Sequence, residues 1–94
     1  MEEAKQISVE QCCIYYQIET SFVQQLDDHG LIELKRAGKK AFITYEQLSD
    51  LEKFIRMHYD MEINLEGIEA ITHLLNQMQR LQQEIKRLEN ELGR

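Results

Sequence analysis

The chain has 94 residues and a mass of 11.2 kDa, enough for one domain with an extended helix attached and too little for two ordinary domains. Charged residues make up 30% and apolar ones 43%, the composition of a folded soluble protein and not of a disordered tail. No apolar run approaches the roughly 20 residues of a membrane span, and Met1 followed by Glu2 and Glu3 is the reverse of a basic secretory start. A cytoplasmic location without a membrane partner is expected.

The net charge of −6 is unevenly spread. Residues 1–34 hold seven acids and one base, residues 35–44 four bases and no acid, and residues 45–94 ten acids and six bases. One basic island in an acidic chain is a poor base for general nucleic-acid affinity, which scales with the phosphates neutralised. It leaves room for a local phosphate contact. Cys12 and Cys13 are the only cysteines, adjacent and too few for a disulfide scaffold. The absence of proline suits a mostly helical chain.

A first helix is predicted from Ser8, whose spacing to Gln11 is that of a capping box. Val9, Cys12, Cys13 and Tyr16 then share one face. After a tight turn at Gln17-Ile18-Glu19, a second helix runs from about Thr20 to His29 with Phe22, Val23 and Leu26 inward. It stops at Gly30, a fitting residue beyond a helix C-terminus. Two short helices joined in this way describe a helix-turn-helix. Leu31, Ile32 and Leu34, then Lys35-Arg36-Ala37-Gly38-Lys39-Lys40, then Ala41-Phe42-Ile43-Thr44, read as a β-hairpin wing turning at Gly38. A second capping box, Thr44-x-x-Gln47, is expected to open a helix to about Tyr59. Leu48, Leu51, Phe54 and Ile55 face inward along it. Asp60-Met61-Glu62-Ile63 breaks the period, and Asn64 caps the last helix, with Glu66 in its favourable first turn. Eight residues are expected to be largely buried: Leu26, Leu31, Ile32, Leu48, Leu51, Ile55, Ile68 and Ile71.

In the last helix, Ile71, Leu74, Met78, Leu81, Ile85, Leu88 and Leu92 recur in alternating steps of three and four, a heptad seam. Arg80–Glu84 and Arg87–Glu91 have the spacing of helical ion pairs. Residues 65–78 read as packed on the domain and 78–92 as projecting. A winged helix-turn-helix domain at 1–62 and a C-terminal helix at 63–94 follow. The projecting stripe Met78, Leu81, Ile85, Leu88 and Leu92 is the candidate self-association surface, making a homo-oligomer the expected state. Isoleucine at a and leucine at d favour a parallel pair, but Glu84 would then face Glu89 of the other strand. An antiparallel dimer, a heterotypic partner and an intramolecular hairpin against residues 45–59 remain open.

No catalytic constellation is found, so no enzyme is expected. His29, His58 and His73 are dispersed. There is no metal-ligand spacing and no glycine-rich phosphate loop, and no cofactor or metal is implied. Asp27 and Asp28 sit at a helix C-terminus, where the dipole does not favour them. They fit either a solvated face or a basic partner.

The order of helix-turn-helix, Gly30-Leu31-Ile32, basic wing, Tyr45 and Leu51, and a capped long helix resembles the mostly α MerR-like winged helix-turn-helix domain. The stretch Asp60-Met61-Glu62-Ile63-Asn64-Leu65-Glu66-Gly67-Ile68-Glu69-Ala70-Ile71 resembles the HspR-like heat-shock repressors and the CbpM-like chaperone modulators. The tail from Leu74, with Met78, Leu81, Gln83, Glu84 and Arg87, is similar to the modulators, and the resemblance covers residues 7–92. It implies a protein that binds the J-domain of a CbpA/DnaJ-like co-chaperone and inhibits its stimulation of Hsp70. Asp27, Asp28, Glu62, Glu66 and Glu69 are then the candidate protein-binding residues.

The HspR-like branch implies instead a DNA-binding transcriptional regulator. Its second helix would enter the major groove, presenting Glu19, Thr20, Ser21, Gln24, Gln25 and Asp28. Lys35, Arg36, Lys39 and Lys40 of the wing would contact the DNA backbone. The chain departs from such readers in having no lysine or arginine on that helix. It also carries Gln17 where the family often has glycine.

Overall fold

The computed structural model describes residues 5–93; the acidic start at Glu2 and Glu3 lies outside the described residues. Three strands, four α-helices and two short non-α turns succeed one another. Strand β1 is Gln6–Ser8, α1 Val9–Tyr16, α2 Thr20–Asp28, β2 Lys35–Ala37 and β3 Lys40–Thr44. A 3₁₀ turn, Tyr45–Gln47, leads into α3, Leu48–Ile55, which widens into a π turn at Arg56–Asp60. Helix α4 runs from Leu65 to Glu91.

Local chemistry explains most of these boundaries. Ser8 Oγ accepts the Gln11 N–H at 3.2 Å and caps α1. Gly30, at φ 74°, ends α2, and Gly38, at φ 65°, turns the wing. Asn64 Oδ1 accepts the Gly67 N–H at 2.8 Å and starts α4.

The second capping box does not form. Thr44 makes no side-chain cap bond. The Gln47 amide turns away and pairs with the backbone of Glu33, accepting its N–H at 2.7 Å and donating to its carbonyl at 2.9 Å. Gln47 also donates to Thr44 Oγ1 at 3.1 Å. Residues 31–34, expected to be strand, are held by this amide as a loop, and the wing pairs only from Lys35 onward.

The sheet has the order β1-β3-β2, antiparallel throughout, with Ile7 opposite Ile43 and Arg36 opposite Ala41. Strand β1 was not anticipated. It laces the start of the chain to the wing, so α1 leaves directly from the sheet.

The core gathers Cys12, Cys13, Phe22, Val23, Leu26, Ile32, Leu34, Ile43, Leu51, Phe54 and Ile68. Of the eight residues expected inside, Leu26, Ile32, Leu51 and Ile68 are buried. Leu31, Leu48, Ile55 and Ile71 are half-buried, Leu31 in the loop after α2 and the other three on helices. Helix α4 leaves the domain earlier than its sequence suggested. Ile68 is its one buried residue, Ile71 and Thr72 are half-buried, and Leu74, Leu75 and Met78 are already exposed. Among the described residues α4 continues as one helix to Glu91, with no hairpin back onto residues 45–59. The i,i+4 pair Arg87–Glu91 is present, but Glu84 pairs with Arg87 and not with Arg80.

Two non-glycine residues hold left-handed backbone, Gln17 at φ 58° and Glu62 at φ 55°. For an L-residue that conformation costs about 1–2 kcal/mol. Gly67 is the opposite case. A Cβ there would lie 2.7 Å from Ile63 Cγ2, a branched side chain with little freedom to yield. Gln17→Gly is therefore expected to raise stability by about 0.5–1 kcal/mol, after the extra chain entropy of glycine is subtracted. Gly67→Ala is expected to lower it by about 1 kcal/mol, overpacking outweighing the better helix propensity. Urea unfolding of the two variants against the parent checks both signs.

Candidate functional site

The predicted site residues fall on three surfaces. The first is the exposed side of α2 with the wing. Asp27 is half-buried and faces the wing, where its Oδ1 accepts the Leu34 N–H at 3.2 Å. Its Oδ2 lies 3.3 Å from Arg36 Nη2. The same guanidinium nitrogen donates to Gln24 Oε1 at 3.1 Å, and Gln24 Nε2 donates to Asp28 Oδ1 at 3.1 Å. One chain of polar contacts thus runs from Asp28 through Gln24 and Arg36 to Asp27 and the backbone of Leu34. Arg36, the wing's one arginine, is turned inward onto α2. Gln24, a candidate base reader, is held between a cation and a carboxylate. Lys35, Lys39 and Lys40 are exposed and carry no ion pair among the described residues. With Ser8, Glu10, Gln24 and Arg36, the last two lysines line a shallow cleft between wing and helix-turn-helix.

The second surface is the root of α4. Glu66 is exposed in its first turn. Glu69 lies against the end of α2, its Oε1 2.8 Å from His29 Nδ1. Glu62 is exposed on its left-handed backbone. Asp27 and Asp28 on one side and Glu62, Glu66 and Glu69 on the other do not form one acidic cluster through any direct contact. Asp27 and Glu69 already have partners within the chain.

The third surface is the distal stripe of α4. Met78, Leu81, Ile85, Leu88 and Leu92 are all exposed, from 46% to 76%. A helix of 27 residues is about 40 Å long, and most of that length carries its apolar seam into solvent.

The titratable groups of the interior are structural. Burial pushes the Cys12 thiol from 9.0 up to about 11, with the adjacent Cys13 adding to the rise. Burial also raises Cys13. Tyr16 is raised from 10.0 to about 12, first by burial and then by its 2.8 Å hydrogen bond to Glu52. His58 stacks on Phe22 with ring centroids 4.6 Å apart, and its Nδ1–H donates to the Ile63 carbonyl at 3.0 Å. No group of histidine, cysteine and carboxylate side chains fit to hold a metal exists among the described residues.

The helix pair, the wing on its far side and the protruding last helix define a winged helix-turn-helix protein of the MerR-like kind. A family model described as MerR HTH family regulatory protein matches residues 7–90, and the chain belongs to that family. It is a family of regulators and not of enzymes. No curated protein and no solved structure gives a significant match. No helix among the described residues is long and apolar enough to cross a membrane.

The polar link from α2 to the wing escaped the sequence reading. Its one local signal is the i,i+4 spacing of Gln24 and Asp28. The Asp27–Arg36 pair depends on how the wing folds back.

Two measurements follow. Asp27→Ala removes the acceptor of the Leu34 N–H and the Arg36 partner together, and is expected to cost about 1–2 kcal/mol. Asp28→Ala, at an exposed position, is expected to stay within about 0.5 kcal/mol of the parent in the same urea titration. In alkali, Cys12 and Tyr16 hold their protons in the folded state where the unfolded chain loses them. The Cys12 contribution is complete below the unfolded thiol value of 9.0 and is lost as pH climbs through about 11, and that of Tyr16 is lost between 10.0 and about 12. Unfolding midpoints stepped through that window are expected to drop, and to drop less steeply in Cys12→Ala.

Proposed function

We propose that this MerR-like protein regulates through protein contact. In this reading it is a chaperone modulator that binds the J-domain of a CbpA/DnaJ-type co-chaperone and inhibits its stimulation of Hsp70. The observation that carries the reading is the electrostatics of the face that would read DNA. Residues 6–34, which contain the whole helix-turn-helix, include no lysine or arginine. Glu19 and Asp28 are exposed there, and the wing's Arg36 is engaged by Asp27 and Gln24. Such a face repels phosphate and suits a basic protein surface. The resemblance of residues 60–71 and of the tail from Leu74 supplies the identity of the partner. Asp28, Glu62 and Glu66 are the acidic candidates left without an intramolecular ion pair among the described residues. Residues 1–62 form the winged helix-turn-helix domain, the root of the 63–94 helix adds Glu66 to the binding surface, and the far part of that helix joins two copies through Met78, Leu81, Ile85, Leu88 and Leu92.

A second reading, a DNA-binding transcriptional regulator of the HspR-like branch, is favoured by the family match itself and by the three exposed wing lysines, Lys35, Lys39 and Lys40. Calorimetric titration with the J-domain of the host's CbpA-type co-chaperone at about 0.15 M salt separates the two. Saturable binding at micromolar affinity or tighter is expected, together with no retardation of duplex DNA. No binding to the J-domain, with a DNA shift that disappears in Lys39→Glu, establishes the second reading instead.

A further inference from the structure

We propose that the outer face of α1 is a docking surface for a basic amphipathic helix of a protein partner, centred on Ile14 and Tyr15. The inner face of α1 is accounted for by Cys12 and Cys13, with Val9 and Tyr16 half-buried at its edges. The outer face of a short solvent-exposed helix is ordinarily polar. Here it carries two large apolar side chains in succession, Ile14 at 76% exposure and Tyr15 at 78%. Neither belongs to the core or to the side chains packed against it, and the Tyr15 ring lies at 85° to that of its neighbour Tyr16.

The charge around them is of one sign on this part of the chain. Glu10 lies one helical turn before Ile14, and Glu19 follows at the start of α2; both are exposed. Glu52 is brought alongside by the Tyr16 hydroxyl, which donates to its Oε2 at 2.8 Å. No cation occurs between residues 6 and 34; Lys39 and Lys40 of the wing share a cleft with Glu10, so Glu19 and Glu52 carry the acidic rim away from the wing. An apolar pair rimmed by carboxylates matches a helix that presents apolar anchors flanked by lysine or arginine. The same rim disfavours a nucleic-acid backbone. Tyr15 is a suitable anchor because a large, rather rigid ring is desolvated at small conformational cost.

The turn beside this face is braced. The Glu19 N–H donates to the Tyr59 hydroxyl at 3.2 Å, and Phe22 forms a three-ring cluster with His58 and Tyr59, which holds α2 against the π turn. A partner would meet a preformed surface.

This surface deepens the protein-binding reading and rests on it. The full chain, its I14S/Y15S variant and its E10K/E19K variant are titrated against the J-domain of the host's CbpA-type co-chaperone. Thermal melts and sedimentation accompany each. Because both apolar side chains are exposed, I14S/Y15S is expected to melt like the parent. It is expected to lose about tenfold or more in affinity. E10K/E19K is expected to bind more weakly and with less dependence on salt. Unchanged J-domain affinity of both folded variants overturns this surface while leaving the protein-binding reading intact. Absence of binding by the parent chain overturns that reading and this surface with it. A change of oligomeric state in I14S/Y15S assigns the face to a second copy of the chain and overturns the basic helix as its occupant.

Discussion

The four largest of the fully buried side chains, Leu26, Ile43, Leu51 and Ile68, hold the molecule together, one each from α2, β3, α3 and α4. In a domain this small little apolar surface is available, so each large interior side chain carries a large share of the stability. The positions of the surfaces follow from that arrangement. Ile68 comes from the first turn or so of α4, and the contact between His29 and Glu69 lies directly beside it. The long helix is therefore fixed at its root and free beyond it.

The electrostatic design of the helix-turn-helix is equally economical. Asp27 lies near the end of a helix, where the dipole disfavours a carboxylate. The structure shows what it gains in return, a backbone N–H from Leu34 and the guanidinium of Arg36. That contact ties the wing to α2 and pairs one of its cations with a carboxylate. The wing keeps three free lysines on a protein whose reading helix is neutral to acidic. The scaffold is that of the MerR HTH family, with no cation on its second helix.

Much of this was legible in the sequence because it is local. The caps at Ser8 and Asn64, the stops at Gly30 and Gly38, and the inward faces of α1, α2 and α3 each depend on residues within one or two turns. The left-handed position at Gln17 was visible against the family pattern. What was not legible depends on distant pairing. Gln6-Ile7-Ser8 is too short to show strand alternation and becomes β1 only by lying against residues 42–44. Thr44 and Gln47 have capping-box spacing, yet the Gln47 amide finds the backbone of Glu33 instead. The candidate acidic residues were chosen by charge alone, and two of them, Asp27 and Glu69, are occupied within the chain. Ile14 and Tyr15 are apolar on the outer side of the first helix, and only the packing of the fold distinguishes an edge of the core from an open face.

The π turn at Arg56–Asp60 has an effect on phase. An α-helix advances about 100° per residue, so one additional residue accommodated in a turn rotates everything after it by about that angle. Here the wide turn closes with the Met61 N–H on the Arg56 carbonyl at 3.1 Å and the Ile63 N–H on the Met57 carbonyl at 2.9 Å. The turn itself carries the rings of His58 and Tyr59, which lie together on Phe22 of α2. A chain one residue shorter in this stretch would keep α3 and its core contacts, yet would swing the two rings away from the helix-turn-helix. The length of this segment therefore acts as an angular setting for whatever the helix-turn-helix presents to a partner.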